Sequence, residues 1–417
     1  MDTKKLINAL SKTKLASRYF SNVSTETKNK ILENISENLK IYKDKIIKEN
    51  KKDIFYAEKK HLSSALIDRL RLTDKSIEDM ISSLKEIESL PDPVGTVISE
   101  WTRPSGIRIQ KVRVPIGVIC MIYESRPNVT IDSTALCIKS GNAVILRGGS
   151  EAINSNRVLV KVIKKALKDA GLSTDLVQFI DSPKREIIYK IIKLDNFIDL
   201  VIPRGGEKMI KDIRRHSTVP VLSHGKGLCH TYIDKDADID MAIKVSYNAK
   251  VQRPGVCNAM ETLLVHRDIA NKVLPELSDM YKKAGVELRG CPQTQKILPF
   301  VKKATEKDWS TEYLDLILSI KIVNSTEEAI KHINKYGSGH SEAIITENQK
   351  EAEKFIKYVD ASAVFHNAST RLHDGGVFGL GSEIGISTQK LHARGTMGLN
   401  ELTTTKYIVY GTGQIRT

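Results

Sequence analysis

The chain has 417 residues, 41% of them hydrophobic, with 65 Lys and Arg against 50 Asp and Glu, a formal net charge of +15. That length exceeds what a single hydrophobic core usually organises, so two or three domains are expected. The five cysteines include no C-x-x-C pair, no 18-residue apolar run occurs, and the N-terminus lacks a signal peptide's apolar core; the expectation is a globular protein of the reducing cytoplasm, without disulfide framework, metal site or membrane span.

The distribution of charge argues against nucleic acid as a partner. Residues 1–100 hold 19 Lys and Arg among 16 Asp and Glu, mixed at helical spacing, which describes a solvated helix surface and not a basic arm. A diffuse positive excess still concentrates anionic small molecules by long-range steering. Phosphorylated substrates and cofactors would benefit.

Residues 1 to about 90 read as consecutive helices, with apolar residues at Ile31, Ile35, Leu39, Tyr42 and Ile46, and again at Ile77, Met80, Ile81, Leu84 and Ile87. Pro91 and Pro93 break that pattern, and residues 107–114 then alternate apolar and polar side chains, as a strand with one wet face does. From Pro115 short apolar strands alternate with helical stretches: 116–123, 143–146, 176–180, 197–202 and 219–222 are the strands. Unbroken apolar strands separated by helices predict an α/β fold with a doubly wound parallel sheet.

Two strand-to-helix junctions in that region carry an arginine and a glycine pair, Arg147-Gly148-Gly149 and Arg204-Gly205-Gly206. Free N–H groups and the positive end of a helix dipole suit such turns to phosphate, and ligands bind at the carboxyl ends of parallel strands. An ordinary βα turn with a solvated arginine is the alternative at each. Neither turn matches G-x-G-x-x-G or the P-loop.

The α/β texture repeats after 228–233. A helix through Ala237, Met241 and Val245 leads to Val251-Gln252-Arg253-Pro254-Gly255-Val256-Cys257, followed by a strand to His266, a helix 268–284, a strand 317–323, a helix 326–334, a strand 341–346 and a helix 350–358. Pro254 fixes its own φ and Gly255 permits a conformation that a Cβ disfavours, so Cys257 is expected at a loop tip as a nucleophile, with Arg253 close enough in sequence to favour the thiolate. A small inert hydrophobe before a strand is the alternative. The glycine-rich stretch 374–385 is expected to pass close to a ligand or another backbone. A last strand, 402–410, alternates and is expected to pair with 107–114 or with another subunit.

Taken together, the blocks Pro115–Ile119, Gly141–Arg147, Gln252–Cys257, Leu314–Val323 and Phe378–Thr388 resemble the aldehyde dehydrogenase superfamily. Val323–Glu342, with Gly379–Thr388, His392–Gly395 and Leu402–Lys406, is similar to the signature of the branch that reduces an acyl phosphate of glutamate. The resemblance runs from the N-terminal helices to near residue 415. It implies an aldehyde dehydrogenase-like fold of two doubly wound α/β domains plus a small β arm: 1–230 binding NADP, with 101–114 contributing to the arm; 231–375 catalytic; 376–398 returning to the cofactor domain; and 399–417 completing an oligomerisation arm.

The activity so implied is NADPH-dependent reduction of L-glutamyl 5-phosphate to L-glutamate 5-semialdehyde and phosphate through a cysteine thioester, the second step of proline biosynthesis from glutamate. The resemblance places Arg147, Gly148 and Gly149 near the adenosine end of the cofactor, Arg204, Gly205 and Gly206 near the pyrophosphate, and Glu312 on the nicotinamide ribose, where a surface carboxylate beside Tyr313 is the alternative. It implies a small-molecule substrate, a homo-oligomer (dimer or tetramer) and functional association with glutamate 5-kinase. His340 is a candidate for substrate contact or a satisfied structural histidine.

The sequence departs from the wider superfamily in two informative places. Where hydrolytic members carry a general base, Leu222–Gly227 has no carboxylate, and a thioester is then poorly attacked by water. Ser125 replaces the usual oxyanion asparagine, which leaves the Cys257 N–H and Asn128 as oxyanion donors. Thr396 replaces a usual proline, with a local backbone effect expected. Another acylating reductase, or a catalytically silent nucleic-acid-binding protein, are the competing functions.

Overall fold

The computed structural model describes residues 3–223 and 225–416. The chain divides into two compact units, one of Met1–Ser223, Leu380–Gly385 and Met397–Thr417, the other of His224–Gly379 and Ile386–Thr396.

The first unit opens with five helices, α1 (Thr3–Phe20), α2 (Thr25–Ile41), α3 (Lys43–Lys59), α4 (Ser64–Leu70) and α5 (Asp74–Ser89). Their starts are set by side-chain caps: Ser24 accepts from the Thr27 N–H, and Thr73 and Ser76 form a reciprocal capping box. The stripe Ile77, Met80, Ile81, Leu84 and Ile87 is buried, as its 3- and 4-residue spacing predicts.

Then come β1 (Val97–Thr102), β2 (Arg108–Pro115), β3 (Val118–Tyr123), α6 (Asn128–Lys139), β4 (Ala143–Arg147), α7 (Ile153–Asp169), β5 (Val177–Phe179), α8 (Glu186–Ile191), β6 (Leu200–Arg204) and α9 (Glu207–His216). Strands β3 to β6 form a parallel sheet in the order β5-β4-β3-β6. Connections run one way from β3 to β5 and then jump back to β6, so the order reverses beside β3 and opens a crevice at the carboxyl ends. Val219–Leu222 does not form a full strand: only an isolated bridge joins Val221 to Val201.

The second unit contains β7 (Cys229–Ile233), α10 (Ile239–Val251), β8 (Met260–His266), α11 (Arg267–Lys283), β9 (Glu287–Gly290), α12 (Pro292–Ile297), β10 (Lys302–Lys303), β11 (Ile317–Val323), α13 (Thr326–Tyr336), β12 (Ser341–Ile345), α14 (Gln349–Tyr358) and β13 (Ala363–His366). Its seven strands are parallel, in the order β10-β9-β11-β8-β7-β12-β13. Strands β7, β8 and β12 are buried at every position, which is why they show no apolar-polar alternation, and their polar members such as His230, Glu261 and Glu342 are buried too.

A short pair, β14 (Gly385–Ser387) and β15 (Gly395–Met397), follows, and β16 (Thr403–Tyr410) ends the regular structure. Strand β16 pairs antiparallel with β2 along its whole length, from Thr403 opposite Pro115 to Tyr410 opposite Arg108, and β1 flanks β2 on the other side. The expected pairing of the last strand with 107–114 is therefore present within one chain, and β1 joins it.

Candidate active site

Cys257 lies in the connection between α10 and β8, half-buried, while the other four cysteines are buried. The glycine this arrangement requires is not Gly255, whose φ is ordinary and whose added Cβ would meet nothing closer than the Leu314 carbonyl at 3.6 Å. It is Gly227, where a Cβ would overlap the backbone and Cβ of Cys257. The sequence drew attention to the glycine beside the thiol, but the close approach comes from the strand next door.

The loop is pinned from several sides. Cys229 Sγ donates to the Cys257 carbonyl (3.2 Å), Thr370 Oγ1 donates to the Asn258 carbonyl (2.8 Å), and Asn258 Nδ2 donates to the His373 carbonyl (3.0 Å). Arg371, in the 3-10 turn Thr370–Leu372, donates through Nε to Gln252 Oε1 (3.0 Å) and through Nη1 to Asn258 Oδ1. Burial holds its guanidinium below the ordinary arginine range, the charge of Arg253 adds to that, and charge on Cys257 opposes it. Sequence reading missed Arg371. A lone arginine after a short strand carries no local signal, and only the chain's return to Asn258 gives it a role.

Glu312 accepts the Gly227 N–H (2.8 Å), which brings it beside the Cys257 turn within the second unit. The segment after it is fixed by Glu261 on β8, which takes the Leu314 N–H (3.0 Å) and pairs with Lys250 of α10 (2.7 Å), both partners fully buried. Burial pushes the Glu261 carboxyl up to about 7 and pulls the Lys250 ammonium down, so the pair holds its charges only because each partner faces the other. Leu314 itself has φ 54, a strained conformation for a branched residue that this contact helps hold.

His340 is fully buried behind the loop, with Nδ1 on Ser341 Oγ (2.7 Å); Ser341 Oγ also meets His373 Nδ1 (2.8 Å). With no exposed surface, His340 fits the structural alternative and not substrate contact. Arg253 is exposed. Of the replaced base segment, Gly225 to Gly227 are described and His224 lies outside the described residues.

The glycine turns of the first unit end β4 and β6, on either side of β3, at the carboxyl edge of the sheet. Arg147 is turned inward, 5% exposed, and donates through Nη1 to the Gly148 carbonyl (3.0 Å), while its buried Nε has no partner. It does not present its guanidinium to solvent, which counts against the alternative of an ordinary turn with a solvated arginine. A Cβ on Gly148 would strike buried Asn156, while one on Gly149 or Gly205 would meet the mobile carboxylate ends of Glu151 and Glu124, which would have to move aside. Gly206 has open space above it and donates its N–H to Glu124 Oε2 (3.0 Å). The turn before α9 thus already accommodates an anionic oxygen, as a phosphate site requires.

Ser125, at φ 43, donates its N–H (2.7 Å) and hydroxyl (2.8 Å) to Glu151 Oε1. Asn128 Nδ2 donates one of its two N–H groups to Asp132 (3.0 Å) within α6. Burial pushes the Asp132 carboxyl up to about 6.

The aldehyde dehydrogenase family model matches residues 1–307 and 299–408. Gamma-glutamyl phosphate reductase of Thermodesulfovibrio yellowstonii is 55% identical over 417 residues, covering 100% of both chains, and that of Clostridium tetani is 54% identical over 99% of each. The crystal structure of gamma-glutamyl phosphate reductase from Thermotoga maritima superimposes with a TM-score of 0.97 at 49% identity, covering 99% of this chain and 100% of that one. The chain therefore belongs to the aldehyde dehydrogenase family and, within it, to the gamma-glutamyl phosphate reductases.

Proposed function

We propose that this chain reduces L-glutamyl 5-phosphate to L-glutamate 5-semialdehyde and phosphate, the second step of proline biosynthesis from glutamate, using NADPH and Cys257. The observation that carries the reading is the half-buried Cys257, on a loop whose backbone is fixed by Gly227, Cys229, Asn258 and Thr370. A nucleophile so held needs no reorganisation to meet a substrate carbonyl.

The Cys257 thiolate attacks the acyl carbon, the carbon–oxygen bond to phosphate breaks with its electron pair leaving on phosphate, and a thioester remains. Phosphate is already a good leaving group, so anion binding near Cys257 matters more than acid catalysis, and exposed Arg253 is suited to it. The developing oxyanion is assigned to the Cys257 N–H and to Asn128, whose amide keeps a second N–H beside the one given to Asp132.

The cofactor is a nicotinamide nucleotide, and NADPH is the proposed form. The open glycine turn Arg204–Gly206 suits its pyrophosphate, Arg147 with Gly148 and Gly149 is assigned to its adenosine end, and Glu312 to its nicotinamide ribose. When bound, the cofactor supplies the hydride that reduces the thioester and releases Cys257. No carboxylate occupies Leu222–Gly227, so the carboxylate base with which hydrolytic members turn water on the thioester is missing there.

A dimer or tetramer built on the β1-β2-β16 arm, residence in the cytoplasm, and functional association with glutamate 5-kinase complete the proposal. The last follows from supply: an acyl phosphate must come from a kinase. The two units carry the proposed roles of cofactor binding and catalysis. Among the described residues no helix is long and apolar enough to cross a membrane.

In the reverse direction the enzyme should reduce NADP in the presence of glutamate semialdehyde and phosphate, and Cys257→Ala should lower that rate by at least about 10³-fold. Retained turnover in the variant would remove Cys257 from the reaction.

A further inference from the structure

We infer that Arg371, with Arg253, forms the subsite that binds the phosphoryl group of the acyl phosphate and admits inorganic phosphate in the reverse direction. The inference rests on the acyl-phosphate reading above and adds the residue that reading lacks. Arg371 is fixed by side chains that bracket the nucleophile: Gln252 Oε1 takes its Nε at 3.0 Å, and Asn258 Oδ1 takes its Nη1. Asn258 is itself tied to the same turn through the His373 carbonyl (3.0 Å) and Thr370 Oγ1 (2.8 Å), so the guanidinium and the Cys257 loop form one unit.

Both acceptors are neutral amides, which position a guanidinium without cancelling its charge. Among the described residues neither Arg253 nor Arg371 makes an ion pair, as buried Lys139 and Arg147 do not, while three other withdrawn cations do. Lys28 pairs with Asp92 (2.8 Å), Lys250 with Glu261 (2.7 Å), and Arg289 with both Glu287 (2.7 Å) and Asp308 (2.6 Å). The neighbouring Asp374 directs its carboxylate to the N–H groups of Gly376 (3.0 Å) and Val377 (3.3 Å).

A partly buried, unpaired arginine beside a second arginine is costly unless an anion arrives. Burial and the charge of Arg253 work against the charged Arg371, and the charges on Cys257 and Asp374 relieve it only in part, its guanidinium staying below the ordinary arginine range. A phosphoryl dianion between the two would satisfy both, through the forked geometry that guanidinium offers to phosphate. The same placement puts the positive charge where the leaving phosphate develops its own negative charge.

The test uses the full-length enzyme in the reverse direction and varies inorganic phosphate and semialdehyde separately. Arg371→Gln should raise the KM for phosphate about 10- to 100-fold while changing the KM for semialdehyde less than about threefold, as loss of a charged hydrogen bond to one ligand does. Arg371→Lys should recover part of the phosphate affinity, because it keeps the charge and loses the fork. Equal rises in both KM values for Gln and Lys would assign Arg371 to holding the loop alone and overturn the inference, as would an unchanged phosphate KM. The parent supplies the control on the underlying reading. Without phosphate it should release one equivalent of NADPH per active site as the thioester forms; a parent that never does so fails as a phosphorylating reductase, whatever Arg371 does.

Discussion

His373 shows how one side chain ties pH to the integrity of the site. It is buried, hydrogen-bonded to Ser341 Oγ (2.8 Å) and stacked on Phe378, and its carbonyl anchors Asn258 next to Cys257. Burial pulls its imidazole down to about 4 from 6.5, with Asp374 opposing only weakly. A depressed folded value means the stability it contributes is present above pH 6.5 and lost as pH falls towards 4. The loss over that window should be about 3 kcal/mol. Denaturant midpoints measured from pH 7 to 4.5 should fall, and His373→Gln should flatten the fall; an identical slope in the variant would place the effect elsewhere.

At this scale some residues were legible and others were not. Cys257 could be singled out because a turn followed by a buried strand is a local pattern. Gly227 and Arg371 could not, since their importance arises from contacts made across the sheet and from a chain return more than a hundred residues later. Local turn chemistry pointed to Gly255, where the structure makes no special demand.

Among the elements, the second sheet places its chemistry at the edge that the usual rule for parallel sheets disfavours. Gly227 precedes β7, Cys257 precedes β8, Leu314 precedes β11 and His340 precedes β12, so the site is built on the amino ends of four parallel strands. In the first unit the two arginine-glycine turns lie at the carboxyl ends, as expected from a doubly wound sheet. Strand positions were readable because buried parallel strands are continuous apolar runs. Strands β1, β9, β10, β13, β14 and β15 were missed: β10 spans two residues, β14 and β15 three, β9 and β13 four, and β1 is exposed along its whole length, so none makes a long buried run.

The arm is the element with the clearest unpartnered face. Tyr407 and Val409 are 63% and 56% exposed in the middle of β16, and Trp101 meets Tyr407 edge-on from β1. Apolar side chains at such positions mark an association surface. The double variant Tyr407→Glu, Val409→Glu should lower the molar mass measured by light scattering while leaving the helical circular dichroism intact. An unchanged mass would move the interface away from this face.

For the whole molecule, the division into two units follows the change of sheet, and the chain visits the first, passes to the second and returns through two segments. The doubly wound architecture was legible from alternating apolar strands and helices; the return at 376–398 came from the resemblance alone, and of that stretch Leu380–Gly385 joins the first unit while Ile386–Thr396 belongs to the second. In the proposed mechanism the missing carboxylate at Leu222–Gly227 connects the architecture to chemistry, because a thioester there would lack that base for hydrolysis and be left to hydride.

That thioester is the central claim, and peptide mass spectrometry tests it directly. Enzyme mixed with glutamate semialdehyde and NADP without phosphate, then quenched in acid, should carry a glutamyl adduct on the peptide containing Cys257, and added phosphate should discharge it. An unmodified Cys257 peptide in enzyme that still turns over with phosphate would contradict the account.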